Sequence, residues 1–284
     1  MKHNYNESTI NNGKVYLVGA GPGNPDYLTV KALRLLKRCD VLLYDMLIDR
    51  SIVELSSPSC QRICVGTKHG TDPSYKQEKI DALMLSYYKM GKIVVRLKSG
   101  DPFIFGRGGE EIEFLRENNV PYEIVPGLTS AISVPSSAGI PLTHRDYSSA
   151  VLIISGHRKS NEMGNDWKEI AKFKGTIVVL MGVGTAAEMV SNLICNGMDR
   201  NTGVAIVENG TKENQRTFFC HLEELPDLIS KCEVKAPSII VIGKVINALL
   251  DRGIFQVCDF HKSKLELTEL IFSQREEQEF VRER

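Results

Sequence analysis

The chain has 284 residues, of which 42% are hydrophobic and 25% are charged, a composition ordinary for a globular protein. Its 35 Lys and Arg residues equal its 35 Asp and Glu residues, so the chain lacks the basic excess that is typical of nucleic-acid binders. No run of about 18 apolar residues suggests a membrane span, and the polar residues 1–13 lack the apolar core of a signal peptide. With seven scattered cysteines and no CxxC pair, the sequence predicts a cytoplasmic protein with reduced thiols.

Apolar runs of strand length alternate with amphipathic segments along most of the chain, which predicts an α/β fold with mainly parallel sheets. Continuously apolar runs such as VYLV and VVLM suit strands that helices cover on both faces. The predicted strands are Lys14–Val18, Val41–Tyr44, Ile93–Leu97, Tyr122–Val125, Val151–Ser155, Thr176–Met181, Val204–Glu208, Arg216–Cys220 and Ser238–Ile242. The predicted helices are Thr29–Lys37, Lys76–Met90, Gly109–Asn118, Thr185–Asn196 and Leu222–Lys231.

The sequence predicts a domain break at Pro126-Gly127, because the apolar runs on either side of it can form two separate sheets. We therefore predict a polar tail over 1–13, one α/β domain over 14–126 and a second over 127–250. The charged extension over 251–284 is predicted to contain a surface helix after Lys262.

The first predicted strand runs into a glycine-rich loop, GAGPGNPD, that begins at Gly19. Asn24 stands where a dinucleotide fingerprint needs its third glycine, and Pro22 and Pro25 lack the N–H groups that a pyrophosphate needs. An NAD-dependent dehydrogenase is therefore the weaker alternative, and a ligand without phosphates suits the prolines better. A tight strand-to-helix connection that binds nothing stays open.

A second loop lies in the segment RLKSGDPFIFGRGGEE, from Arg96 to Glu111. The turn Ser99-Gly100-Asp101-Pro102 ends a strand, and three glycines then surround Arg107. Such bare backbone beside charged groups is typical of a loop that binds a ligand, although an ordinary strand-to-helix corner is the alternative.

Both loops, together with DVLLYD, VPGLTSAI, AGIPLTHRD and PSIIVIGKV, resemble the tetrapyrrole methylases, and within them the uroporphyrinogen-III C-methyltransferases, over about residues 14 to 249. The resemblance implies two α/β domains with a ligand cleft between them, unlike a classical Rossmann methyltransferase, and a homodimer. It implies two methyl transfers from S-adenosyl-L-methionine to uroporphyrinogen III, which give precorrin-2 for siroheme or cobalamin and release S-adenosyl-L-homocysteine. No metal is implied, and a zinc site at Cys60, Cys64 and His69 is disfavoured because paired ligand motifs are missing.

The resemblance also implies roles for individual residues. The implied donor-binding residues are Pro22, Ser99, Gly100, Asp101, Ile104, Thr129, Ser130, Met181, Ala205 and Gly210. A substrate rich in carboxylates needs local cations, and Arg suits bidentate carboxylate binding. The candidates for that role are Arg107, His144 and Arg145, followed by Arg96, Lys98 and Arg50.

Catalysis requires a base, because a proton must leave the methylated ring. Asp45 is the implied proton acceptor, and a carboxylate at the carboxyl end of a strand faces the ligand crevice of an open α/β sheet. Arg107 and Glu110 are the other catalytic candidates, although the two residues can also pair with each other on a helix surface.

The sequence departs from the family pattern beside this base. Met46 replaces the usual Arg after Asp45, and Thr67-Lys68 replaces the usual Lys-Arg, so no proton donor is assigned. A methylase for a later precorrin, or a binding module that kept the pocket, are the remaining alternatives.

Overall fold

The computed structural model of the chain describes residues 13–66, 73–156 and 165–254. The described residues up to Thr129 form one compact unit, and those from Ser130 onward form a second. The segment with Thr67, Lys68 and His69, most of the N-terminal tail and nearly all of the charged extension lie outside the described residues. In the described part of the chain, no helix is both long and apolar enough to cross a membrane.

The first unit contains a five-stranded sheet in the order β3-β2-β4-β1-β5, in which every neighbouring pair is parallel. Its strands are β1 (Lys14–Gly19), β2 (Val41–Tyr44), β3 (Gln61–Cys64), β4 (Ile93–Lys98) and β5 (Tyr122–Val125). Its helices are α1 (Val30–Leu36), α2 (Arg50–Glu54), α3 (Pro73–Lys89) and α4 (Gly108–Glu117).

The two faces of this sheet carry separate hydrophobic cores, because successive side chains of a strand point to opposite faces. On one face, Val18 of β1 and Leu97 of β4 pack with α1 and α2. On the other face, Leu17 of β1 and Val94 of β4 pack with α3 and α4. The chain thus leaves neighbouring strands β1 and β4 toward opposite faces, which makes their carboxyl ends a switch point where such sheets bind ligands.

The second unit contains a five-stranded sheet in the order β6-β7-β10-β8-β9. Its strands are β6 (Val151–Ser155), β7 (Thr176–Leu180), β8 (Gly203–Glu208), β9 (Arg216–His221) and β10 (Ser238–Ile242). Its helices are α5 (Ser130–Ser137), α6 (Trp167–Ala171), α7 (Ala186–Cys195), α8 (Leu225–Lys231) and α9 (Lys244–Asp251). One core lies between the sheet and α6, α7 and α8, and the other lies between the sheet and α5 and α9.

The prediction of mainly parallel sheets is right for the first unit and wrong for the second. Only β6 and β7 are parallel, whereas β10 runs antiparallel to β7 and β8, and β9 runs antiparallel to β8. The reason is that helices cover both faces of β10, so its run SIIVI is buried throughout. Continuous burial therefore produced the apolar pattern of a parallel strand in an antiparallel one.

Candidate active site

Three loops at the carboxyl edge of the first sheet are joined through their backbones. The Gly21 N–H donates to the Gly100 carbonyl at 3.1 Å, and the Gly100 N–H donates to the Gly21 carbonyl at 2.9 Å. The loop after β5 joins them because the Gly127 N–H donates to Asp101 Oδ2 at 3.1 Å. Asp101 Oδ1 also accepts the Phe103 N–H at 2.9 Å, which fixes the loop after β4. The ends of β1, β4 and β5 thus form one corner lined by backbone, which we call the glycine corner.

Glycine is required in this corner because the backbones approach too closely for a side chain. A Cβ on Gly19 would lie 2.6 Å from the Gly100 carbonyl oxygen, and a Cβ on Gly127 would lie 2.2 Å from the same atom. Gly100 itself has a φ of +66°, in the left-handed region that favours glycine. Beside the corner, Pro22 and Ser99 are half-buried, and Ile104 is 38% exposed. The corner therefore offers bare N–H and C=O groups next to small and apolar side chains, as small-molecule sites do.

Asp45 lies directly after β2 and forms an ion pair with Arg96 of the neighbouring strand β4. Its Oδ1 is 2.6 Å from a terminal guanidinium nitrogen of Arg96, whose side chain is only 3% exposed, while the Asp45 side chain is 31% exposed. Arg96 Nε donates to Glu111 Oε1 at 3.0 Å, and its other terminal nitrogen donates to the Leu97 carbonyl at 3.1 Å. The guanidinium is therefore held from behind and presents one edge to an accessible carboxylate.

Glu111 is the acid that balances the buried cations of β4. Its side chain has no exposed surface, and Oε1 accepts from both Arg96 and Lys98 Nζ, the latter at 2.8 Å. Burial alone lowers the pKa of Arg96, but the carboxylates of Glu111 and Asp45 outweigh it, so this pKa lies above its ordinary value. The pKa of Lys98 is lowered, chiefly by burial and then by the Arg96 charge. Asp45, Arg96, Lys98 and Glu111 together contain two positive and two negative groups, a balance that buried charges require.

A second buried acid, Asp81 of α3, lies on the same side of the sheet. Gln77 Nε2 donates to Asp81 Oδ1 at 3.0 Å within this helix. Burial raises the pKa of Asp81 to about 6, and the Glu111 charge adds to this rise, whereas the Gln77 hydrogen bond opposes it.

Arg107 and Glu110 pair with each other at the start of α4. Arg107 Nε donates to Glu110 Oε1 at 2.9 Å, and a terminal nitrogen contacts Oε2, so the pair is bidentate. This hydrogen bond is the main reason why the pKa of Arg107 lies above its ordinary value. Arg107 has a φ of +57° where the loop turns into the helix. The surface pairing considered from the sequence is therefore present, and the catalytic roles of the two residues stay predictions.

The other candidate cations occupy different surroundings. Arg96 and Lys98 are buried against Glu111, so they are not available at the surface to bind a substrate carboxylate. Arg50 pairs with Glu54 on the exposed side of α2. His144 and Arg145 lie in a turn before β6. There the Asp146 N–H donates to His144 Nδ1 at 3.1 Å, and Arg145 is exposed.

In the second unit, two of the predicted donor-binding residues lie at one edge of the sheet. Met181 follows β7 with a φ of +56° and is 51% exposed. Gly210 follows β8, where a Cβ would lie 2.3 Å from a methyl group of Val134. Ala205, in contrast, has no exposed surface and packs in the core between the sheet and α5 and α9, away from this edge. Ser130 begins α5, and Thr129, half-buried, ends the first unit.

Glu111 was the residue that the sequence analysis missed as part of this site. The signal was present in β4, where Arg96 and Lys98 occupy alternate positions of an otherwise apolar strand. Two cations on one buried face require a buried acid. The first acid after Lys98 is Asp101, which accepts backbone N–H groups of the loops, and the next acids are those of the GRGGEE segment.

The described residues contain no group of three His, Cys, Asp or Glu side chains that could hold a metal ion. Cys60, a candidate zinc ligand, instead has its sulfur 3.4 Å from the sulfur of Cys39, and both thiols are buried. His69 lies outside the described residues.

Comparisons with known proteins identify relatives over most of the chain. The family model described as Tetrapyrrole (Corrin/Porphyrin) Methylases matches residues 14–226. The uroporphyrinogen-III C-methyltransferase of Bacillus subtilis is 44% identical over 236 residues, which are 83% of this chain and 91% of that protein. A siroheme synthase of Pseudoalteromonas translucida is 44% identical over 245 residues, 86% of this chain and 52% of that protein. The chain thus spans about half the length of the siroheme synthases that it matches.

A solved structure extends this similarity to the fold. It is the uroporphyrin-III C-methyl transferase of Thermus thermophilus complexed with S-adenosylhomocysteine. The two proteins are 38% identical and align with a TM-score of 0.71, covering 84% of this chain and 95% of the other.

Proposed function

The chain belongs to the tetrapyrrole methylase family, and we propose that it is a uroporphyrinogen-III C-methyltransferase. In the proposed reaction, two methyl groups pass from S-adenosyl-L-methionine to uroporphyrinogen III and give precorrin-2, a precursor for siroheme or cobalamin. The observation that carries this proposal is the 44% identity to the Bacillus subtilis enzyme over 91% of that protein's length. The Thermus relative supports the choice of donor, because it binds S-adenosylhomocysteine, the compound that remains after methyl transfer.

The glycine corner fits a methyl donor that has no phosphates. Pro22 removes a backbone donor that a phosphate would need, whereas the bare backbone around Gly100 can approach an adenine or amino-acid group closely. Pro22, Ser99, Gly100, Asp101 and Ile104 are the proposed donor-binding residues of the first unit. The resemblance adds Thr129, Ser130, Met181 and Gly210 to them. It also implies Ala205, but this residue is buried in the core of the second unit and has no surface that a ligand could contact. When bound, S-adenosyl-L-methionine supplies an electrophilic methyl group on its sulfonium sulfur. After the transfer of this methyl group, the rest of the donor leaves as a neutral thioether.

Asp45 is the proposed base that accepts the proton lost from the ring carbon after methylation. Its carboxylate is 31% exposed, so a substrate can reach it, and Arg96 holds Oδ1 at 2.6 Å. The ion pair fixes the orientation of the carboxylate, which is the requirement for a positioned general base. We expect Asp45→Asn to lose turnover and to retain donor affinity, because the amide keeps the size of the side chain but cannot accept the proton.

The carboxylates of the substrate are proposed to bind Arg107, His144 and Arg145. Arg107 has the planar guanidinium that suits carboxylates, and Glu110 orients it through the bidentate contact. We also propose that the enzyme acts in the cytoplasm and that it is a homodimer. Light scattering of the purified chain tests the proposed dimer.

The direct test is an anaerobic incubation of the purified chain with S-adenosyl-L-methionine and uroporphyrinogen III, followed by mass spectrometry. We expect a product that carries two added methyl groups, together with S-adenosyl-L-homocysteine. Parallel incubations with a later precorrin, and a titration with NAD, test the two alternatives. Methylation of the later precorrin alone, or tight NAD binding without methylation, would refute the proposal.

A further inference from the structure

The buried face of β4 contains a charge cluster that the proposed reaction does not by itself explain. Arg96 and Lys98 point to the α3 and α4 side of the sheet and are 3% and 2% exposed. Both donate to one oxygen of Glu111, at 3.0 and 2.8 Å. The other oxygen, Oε2, is buried and has no hydrogen-bond partner among the described residues. Such a cluster is costly to bury, and hydrophobic side chains of similar size would stabilise a purely structural strand at least as well.

The contacts of Arg96 show what the cluster does. Glu111 accepts from Nε, the Leu97 carbonyl accepts from one terminal nitrogen, and the remaining terminal nitrogen contacts Asp45. A guanidinium is planar, so two contacts behind it fix the direction of the third. Asp45 is the only member of this chain of contacts with a substantially exposed side chain. Through Arg96, the fully buried carboxylate of Glu111 therefore fixes the orientation of the more exposed carboxylate of Asp45.

We propose that Glu111 is a positioning residue, which orients the base Asp45 through Arg96. The inference rests on the proposed function, since it assigns Glu111 to the same site. Other charged groups on this side of the sheet are Lys98, which shares the Glu111 oxygen, Asp81 of α3, and Arg107 and Glu110 at the start of α4. Arg96 contacts both Asp45 and Glu111 and so joins the two carboxylates.

The test compares Glu111→Gln with Glu113→Gln, an exposed position two residues later on the same helix. Glutamine keeps the size of the side chain but removes the charge that both cations share. We expect kcat of Glu111→Gln to fall roughly tenfold to a hundredfold, because small displacements of a catalytic group have effects of this size. The KM for uroporphyrinogen III and the donor Kd measured by calorimetry should stay within about twofold of wild type, and Glu113→Gln should match wild type in all three.

A second variant, Arg96→Lys, tests whether the effect passes through Arg96. Lysine keeps the positive charge but cannot contact Glu111 and Asp45 in the same fixed geometry. When Glu111→Gln is added to Arg96→Lys, kcat should fall by less than a further factor of about two, because the effects of substitutions at residues that act through one another are not additive.

Three results would overturn the inference. The first is unchanged kcat in Glu111→Gln, the second is an additive loss in the double variant, and the third is a donor Kd that rises in step with the loss of kcat. The third result would indicate that Glu111 acts instead through Lys98, which precedes the proposed donor-binding loop. Wild-type protein that does not methylate uroporphyrinogen III would refute the proposed function itself, so the two failures are distinguishable.

Discussion

Gly127→Ala should open the glycine corner, and its effect can be calculated from the distances there. The new Cβ would lie 2.2 Å from the Gly100 carbonyl oxygen, whereas such carbon–oxygen contacts are ordinarily about 3.3 Å. The loops must therefore separate by about 1 Å, since no side chain is present that could rotate away. That shift breaks three hydrogen bonds, the two between Gly21 and Gly100 and the one from Gly127 to Asp101. At about 1 kcal/mol each, the free energy of unfolding should fall by about 3 kcal/mol.

Urea unfolding measures this change, and calorimetry with S-adenosyl-L-methionine measures the accompanying loss of donor affinity. The control is Gly109→Ala in the same GRGGEE segment, where an added Cβ meets nothing within 4 Å. Because alanine favours the helix α4, this control should stabilise the protein by about 0.5 kcal/mol. If Gly127→Ala were as stable as Gly109→Ala and bound the donor equally well, the close approach of the three loops could not be what fixes the site.

Three further predictions concern charged groups. Burial raises the pKa of Asp81 to about 6, so the ionised carboxylate destabilises the folded protein as pH rises from about 4 to 6. The free energy of unfolding of Asp81→Asn should equal that of wild type at pH 4 and exceed it by about 2 to 3 kcal/mol at pH 7. A pH-independent difference between the two proteins would contradict this. Glu208→Ala leaves the partly buried Arg216 without its carboxylate and should cost about 3 kcal/mol in urea unfolding. Glu223 contacts Arg200 at 3.5 Å, and both side chains are exposed, so Glu223→Ala should cost less than about 1 kcal/mol. Equal losses of stability in Glu208→Ala and Glu223→Ala would refute the reasoning. Arg107→Ala should lower turnover by at least about tenfold with donor affinity nearly unchanged; a collapse of donor affinity would move Arg107 from the substrate side to the donor side.

Most strand positions were predictable from the sequence because these strands are runs of mainly apolar residues. Val41–Tyr44, Tyr122–Val125, Val151–Ser155 and Ser238–Ile242 agree with the structure at both ends. The missed strand, Gln61–Cys64, lies at the edge of its sheet and is largely exposed, so its sequence QRIC has no apolar pattern.

Short helices were the other elements that the sequence did not reveal. The helices Arg50–Glu54 and Trp167–Ala171 have five residues each, too few to display a helical period. Ser130–Ser137 contains Pro135, a residue that argues against a helix interior. These elements depend on tertiary packing, which a single sequence does not display.

The sequence predicted the part of the candidate site that is formed by backbone. It did not predict the part that is formed by pairs of side chains. Glycines and prolines in the loops after β1 and β4 indicated the corner, because those residues restrict the backbone directly. The contacts of Arg96 with Asp45 and Glu111 join residues 51 and 15 positions apart, and only the folded sheet brings them together. Arg96 was accordingly considered for substrate binding although it is buried.

The position of β10 at the centre of the second sheet has a consequence for how the protein is made. The last strand of the first sheet ends at Val125, so that sheet can form while the rest of the chain is still being translated. In the second sheet, β6 with β7 and β8 with β9 remain separate two-stranded ribbons until β10 has left the ribosome and paired with both. Isolated two-stranded ribbons are marginal in water, so a nascent chain that stalls before Ser238 would carry one finished sheet and one that is prone to aggregate.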